Sequence, residues 1–128
     1  MTRKILVSPW PSLVWAILIF VLLSVNTGSM ESVPLFGLKN LDKLVHAFLF
    51  GTMAFLLVYW LDGKGRNAWT LALAIASIYG IGMEFFQENF TSREFEWNDI
   101  YADVTGAILG SWAGKKIGPY GNRGRNQN

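Results

Sequence analysis

The sequence predicts an all-α polytopic membrane protein, a bundle of four transmembrane helices with both termini on the cytoplasmic side. Three observations predict it. Of 128 residues, 52% are hydrophobic and only 16% charged, against roughly 25% charged in a soluble domain. The apolar residues fall into four continuous runs rather than alternating, and the second and third runs lack a polar face, which disfavours strands and a soluble bundle. The basic residues sit at the ends of these runs rather than on one stripe, the pattern of a membrane protein and not of a nucleic-acid partner.

The runs are numbers 10–25, 44–61, 68–86 and 100–117. A bilayer core of roughly 30 Å needs about 20 residues of helix. The first three runs fit that range. The fourth holds Asp103 and several glycines, so it fits if its polar residues face protein or water. Arg3 and Lys4 ahead of an apolar run also suit a signal peptide, but no small-x-small cleavage site follows Val25-Asn26-Thr27, and the run is expected to stay as a helix. The connections carry turn formers: Gly28, Pro34 and Gly37 in the first, Asp62 to Asn67 in the second. Residues 1–118 form one predicted domain, and the Gly/Asn/Arg-rich stretch 119–128 is expected to be a disordered cytoplasmic tail.

With four spans, the N-terminus, second loop and C-terminus share a side. That side holds Arg3, Lys4, Lys64, Arg66, Lys115, Lys116, Arg123 and Arg125; the other holds Lys39, Lys43 and Arg93. Eight against three places the termini inside. Trp10, Trp60, Trp69 and Trp112 then mark the inner interface, and Trp97 and Tyr101 the outer one.

Alternating chain direction brings three polar sets to the outer end of the bundle. Asp42, Lys43 and His46 open the second helix, Glu84, Gln87 and Glu88 close the third, and Asn98, Asp99 and Asp103 open the fourth. His46, Glu84 and Asp103 each lie four residues inside their outer partner, a depth of about 6 Å. Spacing of four also keeps each pair on one helix face. Asp99 or Asn98 capping the fourth helix, and Lys43 and Glu88 reaching to the headgroups, would account for the outer members. Those roles do not account for His46, Glu84 and Asp103, and ionisable residues within a span are functional candidates.

The fourth helix also carries Ala102, Gly106, Gly110, Gly114 and Gly118 four apart, a ridge that admits another helix closely. Gly80 and Gly82 are expected to do the same beside Glu84. With no cysteine and one histidine, no thiolate site forms, and single-histidine metal sites are uncommon, so neither metal nor cofactor is predicted.

Two blocks resemble the VanZ-like family of bacterial membrane proteins. Asp42-Lys43-Leu44-Val45-His46 is similar to the family's Asp-Lys-x-x-His opening. From Gly82 to Gly110, Glu84, Gln87, Arg93, Asp99, Asp103, Gly106 and Gly110 resemble a pattern of Glu-x-x-Gln, a loop Arg, then Asp-x-x-x-Asn-x-x-Gly and a further Gly. The chain departs from it at Asp103, where the family usually has Asn, and at Glu94 to Trp97. The resemblance implies a multi-pass protein of the bacterial cytoplasmic membrane and a link to glycopeptide resistance.

Two functional readings follow. In the first, an envelope protein binds a lipid headgroup or cell-wall precursor at its outer face through Asp42, Lys43, His46, Glu84, Gln87, Arg93, Asp99 and Asp103, with Arg93 and Lys43 meeting phosphate or carboxylate. In the second, it is an intramembrane enzyme acting on a lipid-linked substrate, with His46 and Glu84 as the acid–base pair and Asp99 or Asp103 orienting the histidine. Proton-coupled transport is disfavoured, because the inner half of the bundle offers no relay. A homo-oligomer stays open.

Overall fold

The computed structural model describes residues 2–25, 41–62, 64 and 67–118, apart from the side chains of Thr2 and Arg3. The linker with Gly28, Pro34 and Gly37, the turn residues Gly63, Gly65 and Arg66, and the tail 119–128 lie outside the described residues. The described residues form five helices joined by turns, bends and a short irregular stretch at 93–96, in the order α1 (Thr2–Leu6), α2 (Trp10–Ser24), α3 (Leu41–Leu61), α4 (Ala68–Phe90) and α5 (Trp97–Ile117). The short α1 was not anticipated. Pro9 at the N-cap and Pro11 in the first turn mark the start of α2, since proline suits a helix start and not an interior.

Helices α3 and α4 are long and apolar enough to cross a membrane, by length and composition. α2 is apolar but has 15 residues, and α5 carries Asp99 and Asp103. Every long helix turns large apolar side chains outward. Val14 and Ile17 on α2, Phe48 on α3, Ile78 and Phe85 on α4, and Leu109 and Trp112 on α5 are all exposed. The most deeply buried positions, by contrast, include His46, Glu84, Gln87, Asp99 and Asp103. A soluble protein has the opposite arrangement.

Three helices extend past the apolar runs. α3 starts at Leu41, α4 reaches Phe90 and α5 starts at Trp97. The added turns carry polar residues, whose hydrogen bonding the helix satisfies as well as it does for apolar ones. Asn98 and Asp99 fall inside the first turn of α5. Glu96, in extended backbone, occupies the cap position and makes no side-chain cap bond there, so the expected capping role does not apply to Asn98 or Asp99.

α3 and α5 run parallel with their backbones in contact. A Cβ on Gly106 would overlap the Ala47 carbonyl, and one on Gly110 the Gly51 carbonyl. One on Gly51 would lie 2.9 Å from the Gly106 oxygen, and one on Gly114 2.9 Å from Val58 Cβ. Tyr59 Oη donates to the Ile117 carbonyl at 3.3 Å further along. Small residues four apart thus hold one register over several turns.

α2 is attached by polar bonds to both neighbours. Trp15 Nε1 donates to the Leu49 carbonyl at 2.8 Å, Tyr79 Oη to Ala16 at 2.7 Å, and Gln87 Nε2 to Leu23 at 2.9 Å. The Leu23 carbonyl lies in the last turn of α2, where intrahelical partners run out.

Gly110→Ala is expected to destabilise the purified protein by about 3 kcal/mol, since the added methyl meets backbone that cannot rotate away. Gly82 has open space around it, so Gly82→Ala is expected to be neutral or stabilising by up to about 1 kcal/mol. Reversible unfolding in detergent measures both.

Candidate functional site

Parallel α3 and α5, with antiparallel α4 packed against both, bring the start of α3, the end of α4 and the start of α5 to one end of the bundle. At the centre of this end His46 Nδ1 lies 2.8 Å from Asp103 Oδ1, both residues buried. Gly80 makes room for the pair. A Cβ there would stand 2.8 Å from Asp103 Oδ2 and 3.0 Å from Asp103 Cβ. The expectation for these glycines is corrected on both counts: Gly80 accommodates Asp103 rather than Glu84, and Gly82 approaches nothing.

On its other edge the imidazole faces Asp99, and Glu84 lies close by. His46 Nε2 lies 3.9 Å from Asp99 Oδ2, too far for a hydrogen bond. One donor atom each from His46, Glu84 and Asp99 lies within 4.8 Å of the others. Glu84 Oε2 accepts the Glu96 backbone N–H at 3.2 Å. His46 Nε2, Glu84 Oε1 and Asp103 Oδ2 are buried with no hydrogen-bond partner.

Two bases close the site from outside. Lys43 Nζ bonds Asp42 at 2.8 Å and also reaches Glu96 Oε2 and Asp99 Oδ1. Arg93 Nη2 lies 3.5 Å from Asp99 Oδ2. Both side chains remain about one-fifth exposed, whereas that of Asp99 is 1% exposed. The loop that presents Arg93 is held by Thr91, whose Oγ1 donates to the Gln87 carbonyl at 2.6 Å and accepts the Arg93 N–H at 3.1 Å. Lys43 therefore has an ion-pairing role beyond reaching to headgroups.

Of the residues singled out in the sequence, Asp42, Lys43, His46, Glu84, Arg93, Asp99 and Asp103 converge. Gln87 does not share this network through its amide nitrogen, which is committed to Leu23 on α2. Gly106, Gly110 and Gly114 lie at the α3–α5 contact. Glu96 was missed. It contributes a carboxylate to Lys43 and an N–H to Glu84, and its only sequence signal was its place just before an acidic helix start. Two surface grooves lie elsewhere, one beside Leu61, Asn67 and Leu71 at the opposite end and one along Ala47, Gly51 and Gly110. The polar groups pack on each other.

Residues 6–117 match the VanZ/LLP1 family model, so the chain belongs to the VanZ-like family. Membership together with the apolar helices points to a membrane protein. A curated relative, an uncharacterized protein C11E3.10 of Schizosaccharomyces pombe, is 31% identical over 93 residues, covering 71% of this chain and 57% of its own length. The chain thus spans a little over half of that relative. No solved structure gives a significant match.

Asp103→Leu strands the buried His46 Nδ1 and is expected to cost about 1–3 kcal/mol. Asp103→Asn keeps an acceptor oxygen for it and is expected to retain most of the stability. Chemical unfolding of the two variants side by side checks the difference.

Proposed function

We propose that the protein crosses the bacterial cytoplasmic membrane four times with both termini inside, and that its polar end, near the outer leaflet, binds a lipid headgroup or a lipid-linked cell-wall precursor. The observation that carries this reading is the layering of the site. Lys43 and Arg93 are partly exposed and meet at Asp99, above a buried His46–Asp103 pair. A phosphate arriving from the leaflet exchanges for a carboxylate on Arg93 and Lys43, and guanidinium–phosphate bonds are short and charge-assisted. The part-exposed Asp42 and Glu96 accept from ammonium or hydroxyl groups of the same headgroup. The family's link to glycopeptide resistance fits an envelope ligand of this kind.

Four spans follow if the apolar α2 crosses together with α1, and if α5 turns its acids toward α3 and α4. The basic bias then sets the orientation.

The His46–Asp103 contact favours a second reading, an intramembrane acid–base enzyme acting on a lipid-linked substrate. Asp103 orients the ring through Nδ1. Nε2 then works as base and Glu84 Oε1 as its partner acid.

Two measurements test these proposals. The chain has no cysteine, so single cysteines can be introduced and probed with an impermeant thiol reagent. Glu94→Cys is expected to label from outside intact cells and Asn67→Cys only after lysis; the reverse pattern rejects the orientation. Native mass spectrometry from nanodiscs containing phosphatidylethanolamine, phosphatidylglycerol or a polyprenyl-diphosphate saccharide measures binding. Arg93→Gln is expected to weaken retention of the preferred lipid about 10-fold, the loss of one charge-assisted contact. Equal retention by the variant removes the binding reading. Turnover of the saccharide that disappears in His46→Ala and Glu84→Gln selects the enzyme.

A further inference from the structure

The geometry points to a divalent-cation site with His46 Nε2, Glu84 Oε1 and Asp99 Oδ2 as its protein donors, taking Zn²⁺ in a coordination sphere left open at one position. Several independent features converge on it. His46 is 2% exposed and Glu84 fully buried, yet Nε2 and Oε1 have no hydrogen-bond partner. Buried polar atoms without partners cost roughly 1–3 kcal/mol each, and a cation held by both residues relieves that cost at the two atoms together.

The donors are already oriented. Asp103 takes the Nδ1 side of the ring, which leaves the Nε2 lone pair as the ligand atom. A carboxylate behind a metal-binding histidine is the usual supporting arrangement. Glu84 is held through Oε2 by the Glu96 N–H, and Asp99 through Oδ1 by Lys43. Each donor residue thus has its other polar atom fixed by a neighbour.

The spacing is close to that of a bound ion. Tetrahedral zinc with bonds of about 2.1 Å sets its ligands about 3.4 Å apart. Here Nε2 and Asp99 Oδ2 are 3.9 Å apart, and one donor atom from each of the three residues lies within 4.8 Å of the others. Closing on an ion moves each by less than about 1 Å.

Charge favours a cation over another anion at this depth. Asp42, Glu84, Glu96, Asp99 and Asp103 bring five carboxylates to a cluster that contains Lys43 and Arg93 as its bases. A divalent ion offsets two of the surplus negative charges, and its open position faces whatever enters past Lys43 and Arg93. Three protein ligands with one open position are the arrangement of catalytic zinc sites. The site stands whether or not the leaflet ligand is a headgroup.

The test uses the full chain, purified without a polyhistidine tag in nanodiscs of phosphatidylcholine, stripped with chelator and titrated with Zn²⁺ alone. About one Zn²⁺ per chain is expected by elemental analysis. Glu84→Gln and Asp99→Asn are expected to lose at least 10-fold in affinity, and Asp103→Leu 10- to 100-fold through the histidine it holds. Glu88→Gln, on an exposed residue of α4, is expected to bind normally. His46 is the single histidine of the chain, so ¹⁵N-histidine labelling gives one imidazole whose Nε2 resonance must shift on zinc addition. That readout uses the unaltered protein and holds if a variant fails to fold. No stoichiometric uptake, uptake unchanged in Glu84→Gln and Asp99→Asn, or an unmoved Nε2 resonance overturns the site. No lipid of the preferred class is present, so the outcome is separate from that of the headgroup experiment.

Discussion

The backbone contact between α3 and α5 is the constraint on which the rest depends. Two parallel helices touch through Ala47 and Gly51 on one and Gly106 and Gly110 on the other. In an apolar solvent no hydrophobic force drives such helices together, and close dispersion contact has to do so. The register set by these glycines also fixes how far His46 stands from Asp103. One methyl at the interface would separate the helices and, one turn further out, the polar pair with them. Packing and site are therefore two consequences of one contact.

α4 completes the arrangement by supplying what the parallel pair lacks. Gly80 leaves space for the Asp103 carboxylate, and Glu84, one turn on, brings an acid to the open side of the imidazole. Gln87, a further turn on, fastens α2 by its carbonyl. A single face of α4 thus serves α5, the site and α2 in succession. Thr91 then stops the helix and positions the loop backbone at Arg93, so the outer base is placed by a capping interaction and not by packing.

Asp103 departs from the Asn of the pattern that this sequence resembles. An amide at this position can accept from a histidine without adding charge. A carboxylate adds a negative charge to a buried cluster that already holds Glu84 and Asp99. Such a surplus is tolerated only if a proton or a cation accompanies it. Membership of the VanZ-like family describes the scaffold, while the chemistry depends on this residue and its neighbours.

Much of this was legible in the chain itself. Continuous apolar runs specify helices, and those of α3 and α4 are long and apolar enough to cross a membrane, because length and hydropathy are properties of the chain before any packing. Alternating direction placed His46, Glu84 and Asp103 at one end, and spacing of four revealed the glycine ridge, since helical period is a local property. Which nitrogen of His46 is engaged, that Gln87 turns to α2, that Gly80 serves Asp103, and that Glu96 joins Lys43 were decided only by tertiary structure. Those outcomes depend on the register between helices and on the path of a loop, and they involve residues distant in sequence whose separation no periodicity encodes.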